Sequence, residues 1–578
     1  MNARPRHRLF LPAFLISVIC LLAGCASAPA VTPTPVPSAG SAAPTSTATT
    51  TVPAARAAPT TTPAISSAPA APAAPAAPAA PATSAASAAP VPPVGGPLAD
   101  RIDSFISQPR FDSAQWGISV VSLDTGRVLY AHRAGKLAIP ASNTKLYTAA
   151  LALSTLGGSY RIRTSLYASA APRNGVINGD LILYGRGDPT LGSAGDTNTP
   201  TDWADQMATA LASRGVVRVR GALIADDTFF VGPSIAPGWE ARDLQSWFVP
   251  PASALTVQGN MFMLHVEPNG GLCCNTYTRP TMPGLSLVNL TQTDPSAGYG
   301  DLGIYRPPGS RRLYIYGAMR PHAKGRRFAL SAPDPALLAG DLLEEALVRH
   351  GIHVDGGVRA LHWPRTDDAI GAPDTVEIAD ASSPPLADIV HHTLKHSDNL
   401  YAQLLLLQAG ARYAQGGTCD DRIAAPRTTD GWALCAMRAM LGRIGINRYQ
   451  VRLEEGSGLS RKDLVTPRAT TRLLAWAARQ PFAAAYRDAL PIAGVDGTLK
   501  WRMRNTAAAG NIQAKTGTLR YSYTLSGYVT TAAGKHLAFS LRLEDYARPT
   551  TDKGRRTGPS PQRDLDAIAT MLANDSNP

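Results

Sequence analysis

The sequence predicts an α/β domain interrupted by a long, strand-rich insertion. Three observations lead there. Residues 99–165 read as a helix, a hairpin and a second helix. Residues from about 166 to 360 break into short strand-like runs separated by closely spaced turns. From Leu386 the chain turns helical, then closes on three strand-like runs and a final helix. Helix and strands at both ends of a long insertion imply one α/β domain that is discontinuous in sequence.

Each element has a local cause. Ile118 and Val120 alternate on one side of Asp124-Thr125-Gly126, and Val128 and Tyr130 on the other, which is the pattern of two strands about a turn. Leu146, Ala149, Ala150 and Leu153 fall at helical spacing, and Gly157-Gly158 ends that helix. The insertion carries runs such as 179–184 and 216–219. Helical periodicity returns over 400–411. Strands are expected near 512–515, 521–530 and 537–543, with a helix over 562–572. The expected organisation is a discontinuous domain of residues 97–168 and 365–578, with inserted domains over 169–364.

The first 96 residues stand apart. Arg4, Arg6, His7 and Arg8 precede a 14-residue, mostly apolar stretch from Leu9 to Leu22, then small residues: the plan of an export leader. Fourteen positions are too few for a spanning helix, which needs about 20. The run Leu22-Ala23-Gly24-Cys25 resembles the bacterial lipobox, which implies cleavage after residue 24 and lipidation of Cys25. Ala26 is not the Asp that usually retains such proteins at the inner membrane, so the resemblance implies a periplasmic protein anchored at the outer membrane. Residues 26–96 are Ala, Pro, Thr and Ser with repeated Ala-Ala-Pro units. They lack the large apolar side chains that offset chain entropy, so a disordered linker is expected. Its 71 residues span roughly 45 Å as a flexible coil and at most about 220 Å as polyproline II.

A composition 44% hydrophobic and 17% charged suits a packed core, and much of the Pro (49 residues in all) lies in the linker. The net charge of +13 fits a solvated basic surface, anionic lipid or an acidic polymer such as cell wall. No Lys/Arg block interleaved with aromatics and no zinc-knuckle spacing occurs, so nucleic acid is excluded as an expected partner.

The chemistry starts at Ser142-Asn143-Thr144-Lys145. A serine at a helix start exposes its hydroxyl and backbone N–H, and a lysine one turn on shares its face. That lysine is a base only if burial or another cation destabilises its ammonium. Alone, Ser-x-x-Lys recurs by chance. Here Ser397-Asp398-Asn399 follows between two helical runs, and Lys515-Thr516-Gly517 follows at the end of a strand-like run. These three motifs in this order are the signature of penicillin-binding proteins and class A β-lactamases. In it Ser397 can bridge the lysines and pass a proton to the leaving amine. Asn399 can hold the substrate amide and Lys145. Lys515 and Thr516 can bind a C-terminal carboxylate, and Lys515 adds a positive field at Lys145. Gly517 lets substrate lie close against the strand, and the N–H groups of Ser142 and Thr518 form the oxyanion hole.

With 187–189, 236–239, 456–461 (ending at Arg461) and 493–499, these motifs make the chain similar to the low-molecular-mass class C penicillin-binding proteins, the D-alanyl-D-alanine carboxypeptidase/endopeptidase family. The resemblance runs from about residue 99 to the C-terminus. It implies a penicillin-binding, transpeptidase-like (β-lactamase-like) α/β sandwich with two inserted mainly-β domains, since 255 residues separate Ser142 from Ser397. It also implies a serine carboxypeptidase or endopeptidase acting on peptidoglycan stem peptides through an acyl-enzyme on Ser142. β-Lactams would be covalent inhibitors, Arg461 a substrate-binding residue, and no cofactor or metal is required. The chain departs from the pattern at Glu455, where Asp is usual, at Arg186 in place of Gly, and at Ser234. There relatives often carry an Asp that meets the amine of the diamino acid.

Two other functions fit parts of the sequence. A class A β-lactamase needs a Glu soon after the second motif, and from Asn399 onward the first is Glu454. A non-catalytic wall-binding lipoprotein has no use for an intact trio. His391, His392 and His396 lack zinc-like partners and are expected to pack or face solvent. Beyond Cys20 and Cys25, four cysteines allow three pairings. Cys419–Cys435 is the expected disulfide, closing a loop worth about 3 kcal/mol. A bond between adjacent Cys273 and Cys274 would be strained, so their state stays open.

Overall fold

The computed structural model describes residues 97–193, 201–269, 272–366, 369–419, 427–548, 550–551 and 555–577. The expected leader, Cys25 and the linker lie outside the described residues.

Strands from both ends of the folded chain meet in one antiparallel five-stranded sheet. Its order is Gln513–Leu519, Ser522–Thr530, His536–Glu544, Gln115–Ser122, Val128–His132. The expected hairpin is present, with Ile118 opposite His132 and Gly126 taking a φ of 74° in the turn, a conformation glycine adopts without a steric cost. Helices cover both faces, which is why the strand His536–Glu544 is buried from Leu537 to Leu543 rather than on alternate residues. On one face Leu98–Ile106 and Pro561–Ala573 bring Ile102, Phe105, Leu565 and Ile568 onto Ile118, Val120 and Leu541. On the other, Thr144–Leu156, Asn399–Tyr413, Thr429–Arg443 and Pro467–Ala477 share a core that includes Leu146, Leu153, Leu405 and Leu474. Each such side chain stabilises the fold by about 1.5–3 kcal/mol. The result is the expected α/β sandwich.

The insertion is mainly strand. Its larger sheet runs Val358–Leu361, Leu223–Asp226, Leu181–Tyr184, Arg163–Ala168, Val376–Ser382, with the helices Asp202–Ala212 and Pro335–Arg349 in the same core. The second inserted unit is two three-stranded sheets, Ser286–Thr293 with Arg312–Met319 and Leu302–Tyr305, and Arg326–Ser331 with Met261–Asn269 and Leu272–Arg279. Boundaries at 169 and 364 cut the larger sheet. Arg163–Ala168 pairs antiparallel with Leu181–Tyr184 and Val376–Ser382, so the backbone groups of both flanking segments are satisfied within the insertion.

Cys419 and Cys435 are disulfide-linked as expected, and Cys273 is bonded to Cys274.

Candidate active site

Ser142 lies in the single 3-10 turn Ala141–Asn143, which runs straight into the helix Thr144–Leu156. That helix is buried from Thr144 to Leu153. Its serine end is therefore fixed by packing all round rather than by one amphipathic face. Asn143 Nδ2 donates to Lys515 O at 3.0 Å, pinning the serine turn to the strand Gln513–Leu519.

Lys145 is completely buried, and its Nζ has three acceptors. These are Ser142 Oγ at 3.1 Å, Asn399 Oδ1 at 2.6 Å and Ser457 O at 2.6 Å. Burial lowers its pKa to about 8, against the opposing pull of Glu455, Asp398 and Asp463. Two of the acceptors are carbonyl oxygens, which can only accept. When Lys145 is neutral its two N–H bonds go to them, and its lone pair is left for the Ser142 hydroxyl. In that form Lys145 can take a proton from the Ser142 hydroxyl.

Ser397 and Asn399 owe their places to a helix–helix junction. The helix Leu386–His396 ends at Ser397, whose φ of 61° is left-handed, a conformation that costs a non-glycine residue about 1–2 kcal/mol. Asp398 caps the next helix by accepting from Tyr401 N at 3.1 Å, which puts Asn399 in its first turn. Asn399 Nδ2 donates to Phe248 O at 2.8 Å, so the insertion itself forms part of the site. Ser397 Oγ accepts from Lys515 Nζ at 2.9 Å. The expected serine bridge between the lysines takes another form: among the described hydrogen bonds Asn399, not Ser397, reaches Lys145.

Lys515 is also fully buried and donates to Thr516 O at 2.9 Å, which leaves a third N–H for a ligand. Its pKa is held well down by burial first and then by Lys145. Burial is the main cause at both lysines, and the repulsion between them acts on each alike, disfavouring two charges in the site together. Thr516 Oγ1 meets Thr498 Oγ1 at 2.8 Å. A Cβ on Gly517 would fall 2.2 Å from Thr524 Oγ1 and 3.1 Å from Ser142 N, so only glycine lets this strand lie against the serine. The strand is the edge of its sheet. Ala514 N is taken by Pro491 O, while the edge further along, toward Thr518, borders a cavity of about 450 Å³ that Arg461, Trp239 and Phe248 also line. An open edge offers a peptide backbone hydrogen bonds.

The loop 455–463 is the part that sequence reasoning undervalued. Glu455, fully buried, accepts from Trp239 Nε1 at 3.2 Å, Ser457 N at 2.7 Å and Ser457 Oγ at 2.6 Å, and also from Gly458 N. It shapes the loop whose Ser457 carbonyl holds Lys145. Asp463 accepts from Thr144 Oγ1 at 3.0 Å. Burial, followed by the charge of Glu455, pushes its pKa well up. The signal was present in the 456–461 run, but nothing in it marks a backbone carbonyl as a ligand.

The other departures sit away from the lysines. Arg186 donates to Ser165 Oγ at 2.8 Å and Tyr167 OH at 2.9 Å on the inserted sheet. Ser234 lines another cavity, of about 390 Å³, beside Asp227 and Asp334. Arg461 pairs with Glu240 at 2.9 Å on the rim it shares with Thr518. His392 stacks on Tyr401 with ring centroids 4.2 Å apart.

Residues 98–559 match the model of the D-Ala-D-Ala carboxypeptidase 3 (S13) family. The chain is 35% identical over 489 residues to a D-alanyl-D-alanine carboxypeptidase of Actinomadura sp. (strain R39), covering 82% of this chain and 84% of that one. It is 24% identical over 462 residues to the D-alanyl-D-alanine carboxypeptidase DacB of Haemophilus influenzae, covering 79% and 91%. The fold matches the crystal structure of penicillin binding protein 4 from Haemophilus influenzae with a TM-score of 0.69 at 22% identity, over 82% of this chain and 98% of that one. With its serine, two lysines and asparagine gathered as the motifs require, the chain belongs to the D-Ala-D-Ala carboxypeptidase 3 (S13) family.

Proposed function

We propose that this protein is a serine-type D-alanyl-D-alanine carboxypeptidase that trims peptidoglycan stem peptides through an acyl-enzyme on Ser142. The observation that carries the reading is the buried Lys145, whose one acceptor able to return a proton, among the described residues, is the Ser142 hydroxyl. A substrate lies along the open edge from Thr516 to Thr518, with its terminal carboxylate on Lys515 and Thr516. That carboxylate favours a proton on Lys515, which leaves Lys145 neutral. Ser142 Oγ then attacks the carbonyl of the penultimate D-alanine and gives its proton to Lys145. The oxyanion rests on the N–H groups of Ser142 and Thr518. As the C–N bond breaks, Ser397 and the lysines return a proton to the leaving amine. Water then opens the ester by the same proton path in reverse. Replacing the terminal D-alanine by a D-Ala–diamino acid crosslink makes the same steps an endopeptidase reaction.

β-Lactams present their amide to the same serine; the Haemophilus influenzae protein of this fold is itself known in complex with a β-lactam. The carboxylate of Glu455 is committed to Trp239, Ser457 and Gly458 rather than to a deacylating water, so the adduct leaves slowly. Mass spectrometry after incubation with benzylpenicillin is expected to find a lasting adduct on the Ser142 peptide. Rapid turnover of penicillin without an adduct would mean a β-lactamase. A folded protein showing neither would mean a non-catalytic wall-binding lipoprotein.

The leader and Cys25 support secretion and a lipid anchor, with the linker as a tether between the outer membrane and the wall. Metabolic labelling with palmitate is expected to mark the wild type and not Cys25→Ser; equal labelling of both would refute the anchor.

A further inference from the structure

The second inserted unit carries a cationic cavity that the reaction does not use. It measures about 640 Å³ and is lined by Arg320, Lys324, Arg326 and Arg327, with Tyr299 at its rim and no acidic side chain among its described lining residues. Three of the four cations are exposed. In a formal net charge of +13 over the chain, four cations around one hollow are a local field rather than a general surface property.

The cavity is also pre-shaped. The Arg326 guanidinium lies 3.7 Å from the Tyr299 ring centroid and 5.1 Å from that of Phe328, and it donates to Tyr299 O. Stacking on aromatic faces fixes an otherwise mobile fork. Arg320 Nε donates to Ala297 O at 2.8 Å, so its remaining N–H groups are held in a set direction. Tyr299 itself is 83% exposed, an open aromatic face beside fixed guanidinium groups. Such forks match carboxylates in two-point contacts.

The unit is fastened to the edge of the catalytic site. Arg306 N donates to Gln245 Oε1 at 2.7 Å, and Arg306 Nη1 to Ser331 O at 2.7 Å. Ser331 N returns a bond to Gln245 O. Three residues on, Phe248 O holds Asn399. A polymer held at the cavity is thus held by the body that also supplies the active-site rim.

We infer that this cavity is an exosite for carboxylate-bearing strands of the peptidoglycan polymer itself. The inference rests on the proposed substrate. Its repeating stem-peptide carboxylates complement the cluster, whereas the concave lining and the Tyr299 ring stacked on Arg326 present no apolar wedge to a lipid surface. Binding one strand here makes cleavage of its neighbours a local event, raising effective substrate concentration without any change at Ser142.

The test uses the full-length chain in detergent and purified sacculi. The wild type pellets with sacculi, less so as salt rises, and less so when the sacculus carboxylates are methyl-esterified. The K324E/R327E double variant is expected to bind sacculi about tenfold more weakly. It should retain wild-type kcat/KM on a soluble acyl-D-Ala-D-Ala peptide and wild-type penicillin labelling, which also shows that it is folded. A second variant, Arg326→Ala, should weaken sacculus binding in the same direction. Unchanged pelleting of both variants, or binding indifferent to salt and esterification, overturns the exosite. Loss of variant binding to phosphatidylglycerol vesicles but not to sacculi also overturns it, in favour of a lipid surface. Failure of the wild type to hydrolyse the soluble peptide would instead count against the proposed activity, so the two failures are distinguishable.

Discussion

Ser142→Ala and Lys145→Ala are each expected to lower kcat for D-alanine release by about 10⁴-fold or more, and the double variant by little more than either alone. The reason lies in the hydrogen bonds. Ser142 has one base within reach, at 3.1 Å, and that base has one partner from which it can take a proton. Removing either member removes the same step, so their effects do not add. The pH dependence follows from the sign of the shift. Lys145 must be neutral to act, and burial lowers its pKa from the ordinary lysine value to about 8. Below that pH the ammonium form is populated and kcat/KM falls as pH falls. At higher pH kcat/KM falls again, because Lys515 then has no proton to meet the substrate carboxylate. Steady-state rates from pH 5 to 10 on a soluble peptide check all of this. A Lys145→Ala protein within tenfold of wild type would sink the assignment of the base.

Glu455→Gln is the second large effect expected, through a residue that touches no substrate. The carboxylate accepts from the Trp239 indole, two groups of Ser457 and Gly458 N. An amide offers one acceptor oxygen and turns two N–H bonds toward buried donors. Each buried donor left unsatisfied costs about 1–3 kcal/mol, so a clear fall in Tm is expected. The loop also carries Ser457 O, which holds Lys145 at 2.6 Å. A displacement of about 1 Å there is expected to lower kcat about 10²-fold with KM nearly unchanged, because the strand that binds the carboxylate is untouched. Glu455→Asp keeps both oxygens and should recover part of kcat. A Glu455→Gln protein that loses stability yet keeps full kcat would show a packing role alone.

Much of the site was legible because its chemistry is carried by side chains in short runs. Ser142 and Lys145 are one helical turn apart, so the sequence placed them together without help. Ser397, Asn399 and Lys515 could be assigned only because three motifs kept their order. Their mutual distances depended on a helix junction and a sheet edge brought together across the insertion. Phe248 O and Ser457 O were invisible because a backbone carbonyl has no sequence signature. Trp239 stood in a recognised run, but its bond to Glu455 joins residues 216 positions apart.

By itself the sequence determined the periods of its strands and helices, the presence of a long insertion within one α/β domain, the pairing of Ser142 with Lys145, and the need for glycine at 517. Those are local consequences of spacing, side-chain chemistry and backbone freedom. Only the tertiary structure decided that the inserted sheet takes in strands from both flanks, that Lys515 rather than Lys145 holds Ser397, and that Lys145 is buried deeply enough for desolvation to lower its pKa. Hydrogen-bond pairing across long loops and burial are properties of the packed whole. Neither is written in any single stretch of chain.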